Sequence, residues 1–335
     1  MDNTFLQWLH THMWWFIGTA IVLLVLMALF IIFFTGAMIF INTLYKKNAK
    51  PRVREFSLQN DPNPPPHALD QKQMFDQGIE WIDKHKDKVV DLHIVNDGLD
   101  LYAQYVDFGF DKCAIVLQGR TESLLYSYYF ADVYAKNGYN ILSIDVRAHG
   151  LSDGQFITAG IKESEDLIEW IRLVKDKFSM DNFLIHGICI GAATAIYAYE
   201  TLKKQNSKDL DLIKKVVLDG TFVSYKEIFS NHIKERKKPR FVFLHLVFWY
   251  LWICTRVNLF KKTPLQSVEE LDIPTLFIYS KQDTYAVPEK AELMFKACGS
   301  KNKQLKFFPK GRHSHVRFNN TEEYDKAIEE FINRE

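Results

Sequence analysis

Leu184-Ile185-His186-Gly187-Ile188-Cys189-Ile190-Gly191-Ala192-Ala193 is the stretch on which the fold turns. An apolar run enters a G-x-C-x-G sequence, and a segment rich in small residues follows. That order marks a sharp strand-to-helix turn carrying a nucleophile, where flanking glycines let backbones pack closer than side chains permit. A thiol there sits at a helix N-terminus, whose positive dipole end favours thiolate. A buried structural cysteine in a chance glycine pair fits the same pattern. The flanking sequence decides between them.

Outward from this motif, short apolar runs read as strands buried on both faces: Cys113–Leu117, Tyr139–Ile144, Phe183–His186, Val216–Leu218, Thr275–Tyr279 and Leu305–Phe308. Segments of helical period separate them, among them Lys162–Lys177, Gly191–Lys204 and Glu322–Asn333. Val89–Val95 and Leu99–Val106 flank Asn96-Asp97-Gly98, a hairpin signal. A hairpin feeding a βαβ series predicts an α/β protein with a mostly parallel, doubly wound sheet.

Three further segments carry a resemblance. Ile115-Val116-Leu117-Gln118-Gly119-Arg120 is a strand ending in a glycine loop. Asp145-Val146-Arg147-Ala148-His149-Gly150-Leu151-Ser152-Asp153-Gly154 follows the next strand. Ile157-Thr158-Ala159-Gly160 then leads into Glu163 and Asp166-Leu167-Ile168-Glu169-Trp170. With the elbow, these resemble the α/β-hydrolase superfamily in its bacterial esterase, lipase and peptidase-like branch, over about Phe75 to Phe331. The resemblance implies an α/β-hydrolase fold with an inserted lid at about 222–270. It puts Cys189 in the nucleophile's place, Asp283 in that of the orienting acid and His313 in that of the general base. It further implies oxyanion donors at the backbone N–H groups of Arg120 and Ile190, with Gly187 and Gly191 shaping the elbow. The chain order, nucleophile then acid then histidine, is the one this fold uses.

Two departures stand out. Cysteine replaces the usual serine at position 189, and Gln118 stands where the family has histidine. Alternatives attach to single residues as well. Asp283 could cap the helix that starts at Pro288, and His315 lies two residues from His313 in the same loop. His149 and His186 read as structural hydrogen-bonders near the sheet edge.

The residues before the domain differ in kind. Between Asp2 and Lys46 there is no Asp, Glu, Lys or Arg, and Met13 to Leu44 is almost wholly apolar. About 20 such residues cross a bilayer, so residues 1–45 are expected to be a transmembrane anchor. No basic n-region or small-residue cleavage site of a signal peptide is visible. Lys46, Lys47, Lys50, Arg52 and Arg54 follow the span, which places the N-terminus outside and the rest in the cytoplasm. Residues 46–66 form a basic, Pro-rich linker, and 67–335 the hydrolase domain. Within the insertion, Lys234-Glu235-Arg236-Lys237-Lys238-Pro239-Arg240 precedes the apolar run Phe241–Ile253, too short to span; it reads either as a lid helix packed on the core or as one suited to an anionic membrane surface.

Lys and Arg total 42 against 41 Asp and Glu, without the basic excess that nucleic-acid binding uses. The four cysteines form no C-x-x-C pair, so no disulfide framework or metal site is indicated. No cofactor motif is present. The expected partners are an acyl substrate with an apolar tail and the membrane. The expected function is an acyl ester or thioester hydrolase working through a thioester acyl-enzyme. A silent scaffold binding a lipid or protein, or an acyltransferase, would share the same residues.

Overall fold

The structure, a computed structural model, describes residues 3–44, 66–120, 122–235 and 240–334. All of the expected linker but Pro66, including its basic residues, lies outside the described residues, as does the stretch 236–239.

Eight strands form one sheet in the order β1-β2-β4-β3-β5-β6-β7-β8. They are β1 (Val89–Asn96), β2 (Leu99–Val106), β3 (Cys113–Leu117), β4 (Asn140–Ile144), β5 (Phe183–Ile188), β6 (Ile213–Asp219), β7 (Thr275–Ser280) and β8 (Lys303–Phe308). β1 and β2 pair as an antiparallel hairpin, and Asp97 and Gly98 at its turn take φ of 53° and 74°. Positive φ at both turn residues matches the right-handed twist of the strands, which is why Asp-Gly serves there. β2 is antiparallel to β4, and from β4 onward all neighbours are parallel. Every residue of β3, β4, β5 and β7 is buried. That explains runs without polar alternation, because helices cover both faces.

The longer helices are α1 (Asn3–Leu44), α2 (Pro66–Lys84), α3 (Ile161–Phe178), α4 (Ile190–Lys204), α5 (Tyr225–Glu235), α6 (Arg240–Thr255), α7 (Pro288–Ala297) and α8 (Thr321–Ile332). Successive strand residues point to opposite faces. Accordingly Leu184 and Ile188 of β5 join a core with α2, α5, α6 and α8, around Phe75, Phe229, Phe248 and Phe331. Phe183 and Ile185 join the other core, with α3, α4 and α7, around Trp170, Ile196 and Met294. The segment between β6 and β7 carries α5 and α6, which pack on each other through Phe229 and Phe248, ring centroids 5.5 Å apart. The lid expected at about 222–270 falls on this segment.

α1 stands apart. His10–Ile39 is long and apolar enough to cross a membrane, and its most apolar part is uncovered by the other described residues. Among the described residues its last turns meet the domain, where Ala37 and Ile41 are fully buried and Phe34 packs on Trp249 of α6, centroids 5.4 Å apart.

The loop after β4 is held by buried charge. Arg147 grips Asp166 with Nε and Nη2, each 2.7 Å from a carboxylate oxygen, and both side chains are 4% exposed. Asn96 donates a third bond to Asp166 at 2.7 Å, tying the first hairpin to α3. Asp145 accepts the backbone N–H groups of Leu124 and Leu151 at 2.7 and 2.8 Å, fixing the loops after β3 and β4. Removing one partner of such a pair strands a buried charge, at a cost of about 3–5 kcal/mol. We expect Arg147→Ala to lower the melting temperature by on the order of 10 °C, read by thermal unfolding in detergent micelles.

Candidate active site

The elbow is built by backbone crowding. Cys189 takes φ 54° and ψ −109°, a conformation that costs a non-glycine residue about 1–3 kcal/mol. Its N–H donates to the Asp219 carbonyl at 2.8 Å, so the turn is stitched to β6. A Cβ at Gly187 would lie 2.4 Å from the Ala192 nitrogen and the Gly191 oxygen. One at Gly191 would lie 2.3 Å from the Leu117 carbonyl oxygen. These atoms are backbone and cannot swing aside. Both glycines are therefore steric necessities.

Asp283, just past β7, divides its carboxylate between two tasks. Oδ1 accepts the N–H groups of Tyr285 and Ala286 at 2.8 and 2.9 Å. Oδ2 accepts Nδ1 of His313 at 2.7 Å. Local turn-capping and orientation of the histidine thus coexist in one side chain. Burial pushes the His313 imidazole down, but the facing Cys189 and the Asp283 carboxylate outweigh it and hold its pKa well above the ordinary value near 6.5. Among the described residues its Nε2 makes no hydrogen bond of ordinary geometry, as is common for a free enzyme. His315 is placed differently. Its Nδ1 donates to the His313 carbonyl at 2.8 Å, so it braces the loop that carries His313.

A cavity of about 530 Å³ opens over Cys189. Ile190, Tyr225, Ile228 and Tyr285 give it apolar lining. Arg120, Glu122, Arg312 and His315 also line it, so the lining is more mixed than an apolar-tailed substrate alone would suggest. Ile190 is the first residue of α4, where helix N–H groups lack intrahelical acceptors. Gln118 is buried and does not line the cavity; its side-chain oxygen accepts Ser127 Oγ at 3.4 Å.

Sequence reading missed two features. Glu122 folds back so that its carboxylate accepts the Gly119 N–H at 2.9 Å, fixing the loop on which Arg120 sits. A polar chain also runs beneath the site. Tyr134 donates to Nδ1 of His186 at 3.0 Å, Nε2 of His186 contacts the Tyr324 hydroxyl at 3.1 Å, and Tyr324 donates to Asp219 Oδ2 at 2.7 Å. His186 belongs to β5, between β3 and β6, so it lies at the sheet's centre and not near its edge. Burial pushes His186 down to about 3, so it is neutral. Burial pushes Asp219 up to about 7, with the Asp283 charge adding and Tyr324 and His313 opposing. Gly220, next to Asp219, packs so close to His313 that a Cβ there would come within 3.3 Å of the ring.

This arrangement is the α/β-hydrolase fold, with a thiol at the elbow. A family model described as "alpha/beta hydrolase fold" matches residues 115–256, and one described as "Serine aminopeptidase, S33" matches residues 252–318. The second stretch includes Asp283 and His313 but stops short of the elbow, so its serine does not transfer to position 189. YqkD of Bacillus subtilis is 27% identical over 65% of this chain and 70% of its own length. Protein bem46 of Schizosaccharomyces pombe is 26% identical, over 54% of each chain. Among solved structures, a Pyrococcus furiosus esterase superposes with a TM-score of 0.62 at 23% identity, covering 76% of this chain and 95% of its own. An esterase from Exiguobacterium antarcticum gives 0.54 at 16% identity, covering 73% and 100%.

The Asp219 proton has a measurable signature. Its folded pKa of about 7 exceeds the ordinary value near 3.8, so between these the folded state binds more protons than the unfolded. Stability from this group is full at the acid end and falls as pH rises through about 7. We expect melting curves of wild type and Asp219→Asn to diverge across that window, wild type losing ground as pH rises and the gap levelling off above it.

Proposed function

We propose that this protein is a membrane-anchored hydrolase that cleaves acyl esters or thioesters through Cys189, His313 and Asp283. One observation carries the reading: His313 is held at 2.7 Å by a buried carboxylate while Cys189, on a strained elbow, shares its cavity. A structural cysteine needs neither the strain nor the paired histidine. The esterase neighbours support the same class, by fold alone.

His313 takes the proton of the Cys189 thiol, and Asp283 steadies the imidazolium that results. The thiolate attacks the acyl carbonyl, forming a C–S bond, and the oxygen's charge is met by the N–H groups of Ile190 and Arg120. The C–O or C–S bond to the leaving group breaks as His313 returns its proton. Water, deprotonated by His313, then attacks the thioester and releases the acid and the thiolate. The acyl group lies along Ile190, Tyr225 and Ile228, and the leaving group lies near Arg120 and Arg312. α1 anchors the enzyme, and the basic residues after it place the domain in the cytoplasm.

A thiolate leaves a tetrahedral adduct more readily than an amide nitrogen does, so amides return to starting material. We expect a butyryl thioester to turn over faster than the matched amide, measured on the full-length protein in detergent micelles. Faster amide turnover would sink the assignment. In the same assay His313→Ala should cost about 10²–10⁴-fold, the range of general-base catalysis, whereas His315→Ala should retain most activity.

A further inference from the structure

α6 violates the pattern of a surface helix. Such a helix turns polar residues outward. Yet among its described residues past Arg240 there is no charged one, and its outer face is Phe241, Val242, His245, Trp249, Trp252 and Ile253. Phe241 is 77% exposed, and Trp249 and Trp252 are each more than 40% exposed. At 16 residues, or about 24 Å, the helix is too short to span a bilayer.

Its position along α1 says what covers that face. Phe30 and Phe34 of α1 both pack on Trp249, with centroids 6.2 and 5.4 Å away, and Asn42 reaches the Tyr250 hydroxyl at 3.4 Å. At the other end of α1, Trp14 and Trp15 are 72% and 77% exposed. From Trp15 to Phe34 the helix rises about 30 Å, the thickness of a bilayer's hydrocarbon core. Tryptophans favour the two boundaries of that core. When Trp14 and Trp15 take one boundary, Phe34 falls at the other, level with Trp249. The α1 sequence past Trp15 offers no tryptophan of its own for that second boundary. α6 supplies it. Exposed Lys234 precedes the helix, and exposed Arg256 and Lys261 follow it, which suits an anionic headgroup layer.

We propose that α6 is a second membrane element, lying flat in the interfacial zone of the leaflet reached by the C-terminal end of α1. The hydrolase domain is thereby docked on the bilayer and not merely tethered to it. This rests on α1 spanning the membrane. The inner face of α6 bears Phe248, which packs on Tyr225 and Phe229 of α5, centroids 6.1 and 5.5 Å away. Tyr225 also lines the cavity over Cys189, so a single helix separates the catalytic cavity from the docked one.

Ile253, exposed on the outer face of α6, offers a reporter position, since Cys113 and Cys298 are buried. In full-length protein carrying Cys189→Ser and Cys254→Ala, reconstituted into vesicles of phosphatidylcholine and phosphatidylglycerol, Ile253→Cys would carry an environment-sensitive NBD label. Two matched proteins with native Ile253 would carry the label at Leu24→Cys on α1 or at Lys296→Cys on α7. We expect the label at position 253 to show blue-shifted emission and quenching by lipids bearing a spin label high on the acyl chain. The label at position 24 should be quenched by lipids labelled deeper, and the label at position 296 only by aqueous iodide. A lipid-quenched label at position 24 with an iodide-quenched label at position 253 would overturn docking while leaving the anchor. A label at position 253 shielded from both quenchers would assign the face to a second copy and overturn docking too. A Leu24 label in water would remove the anchor and the proposal together.

Discussion

The close approach of the Gly191 backbone to the Leu117 carbonyl sets the geometry on which everything else in the site relies. It brings β3 against the start of α4, so the loop after β3 and the thiol after β5 face one cavity. The same crowding forces Cys189 into its strained conformation, and the bond from its N–H to Asp219 ties that strain to β6. A strained residue persists only where its surroundings over-determine it. Here three parallel strands and one helix do so. Asp283 and His313 are then delivered by the next strand ends, at the edge where parallel sheets gather their ligands.

The charge arrangement follows from that frame. Asp283 can serve His313 because two backbone N–H groups already hold its other oxygen. His313 is favoured as a cation because a thiol and a carboxylate flank it where water is scarce, and their attraction exceeds the cost of its burial. Asp219, one strand away, is in the opposite situation. Its one hydroxyl donor and the His313 charge both favour ionisation but fall short of the cost of burial, so its proton is retained to about pH 7.

What was legible in the sequence has a physical pattern. Strands buried on both faces leave continuous apolar runs, and turns leave Asp-Gly or glycine pairs, so the sheet and elbow could be read locally. Cys189, Asp283 and His313 stand in motifs that carry their own backbone geometry. Glu122 left no such trace, because its value lies in folding back on Gly119, and a lone glutamate after Gly-Arg-Thr reads as surface. The chain from Tyr134 through His186 and Tyr324 to Asp219 was equally invisible, since His186 and Tyr324 are 138 positions apart. His186 reads locally as an edge residue, because a strand's own sequence does not carry its place in the strand order. The apolar run at 241–253 signalled a helix but not its neighbour, and the packing of α1 on it emerges only in three dimensions.

The central claim is covalent catalysis at Cys189, and intact-mass analysis tests it most directly. The full-length protein in detergent micelles would be mixed with excess p-nitrophenyl butyrate while p-nitrophenol release and protein mass are followed together. The account predicts a burst of product near one equivalent and a butyryl adduct, both lost in Cys189→Ala. A Cys189→Ala protein that released p-nitrophenol as fast as wild type, with no adduct in either, would contradict it.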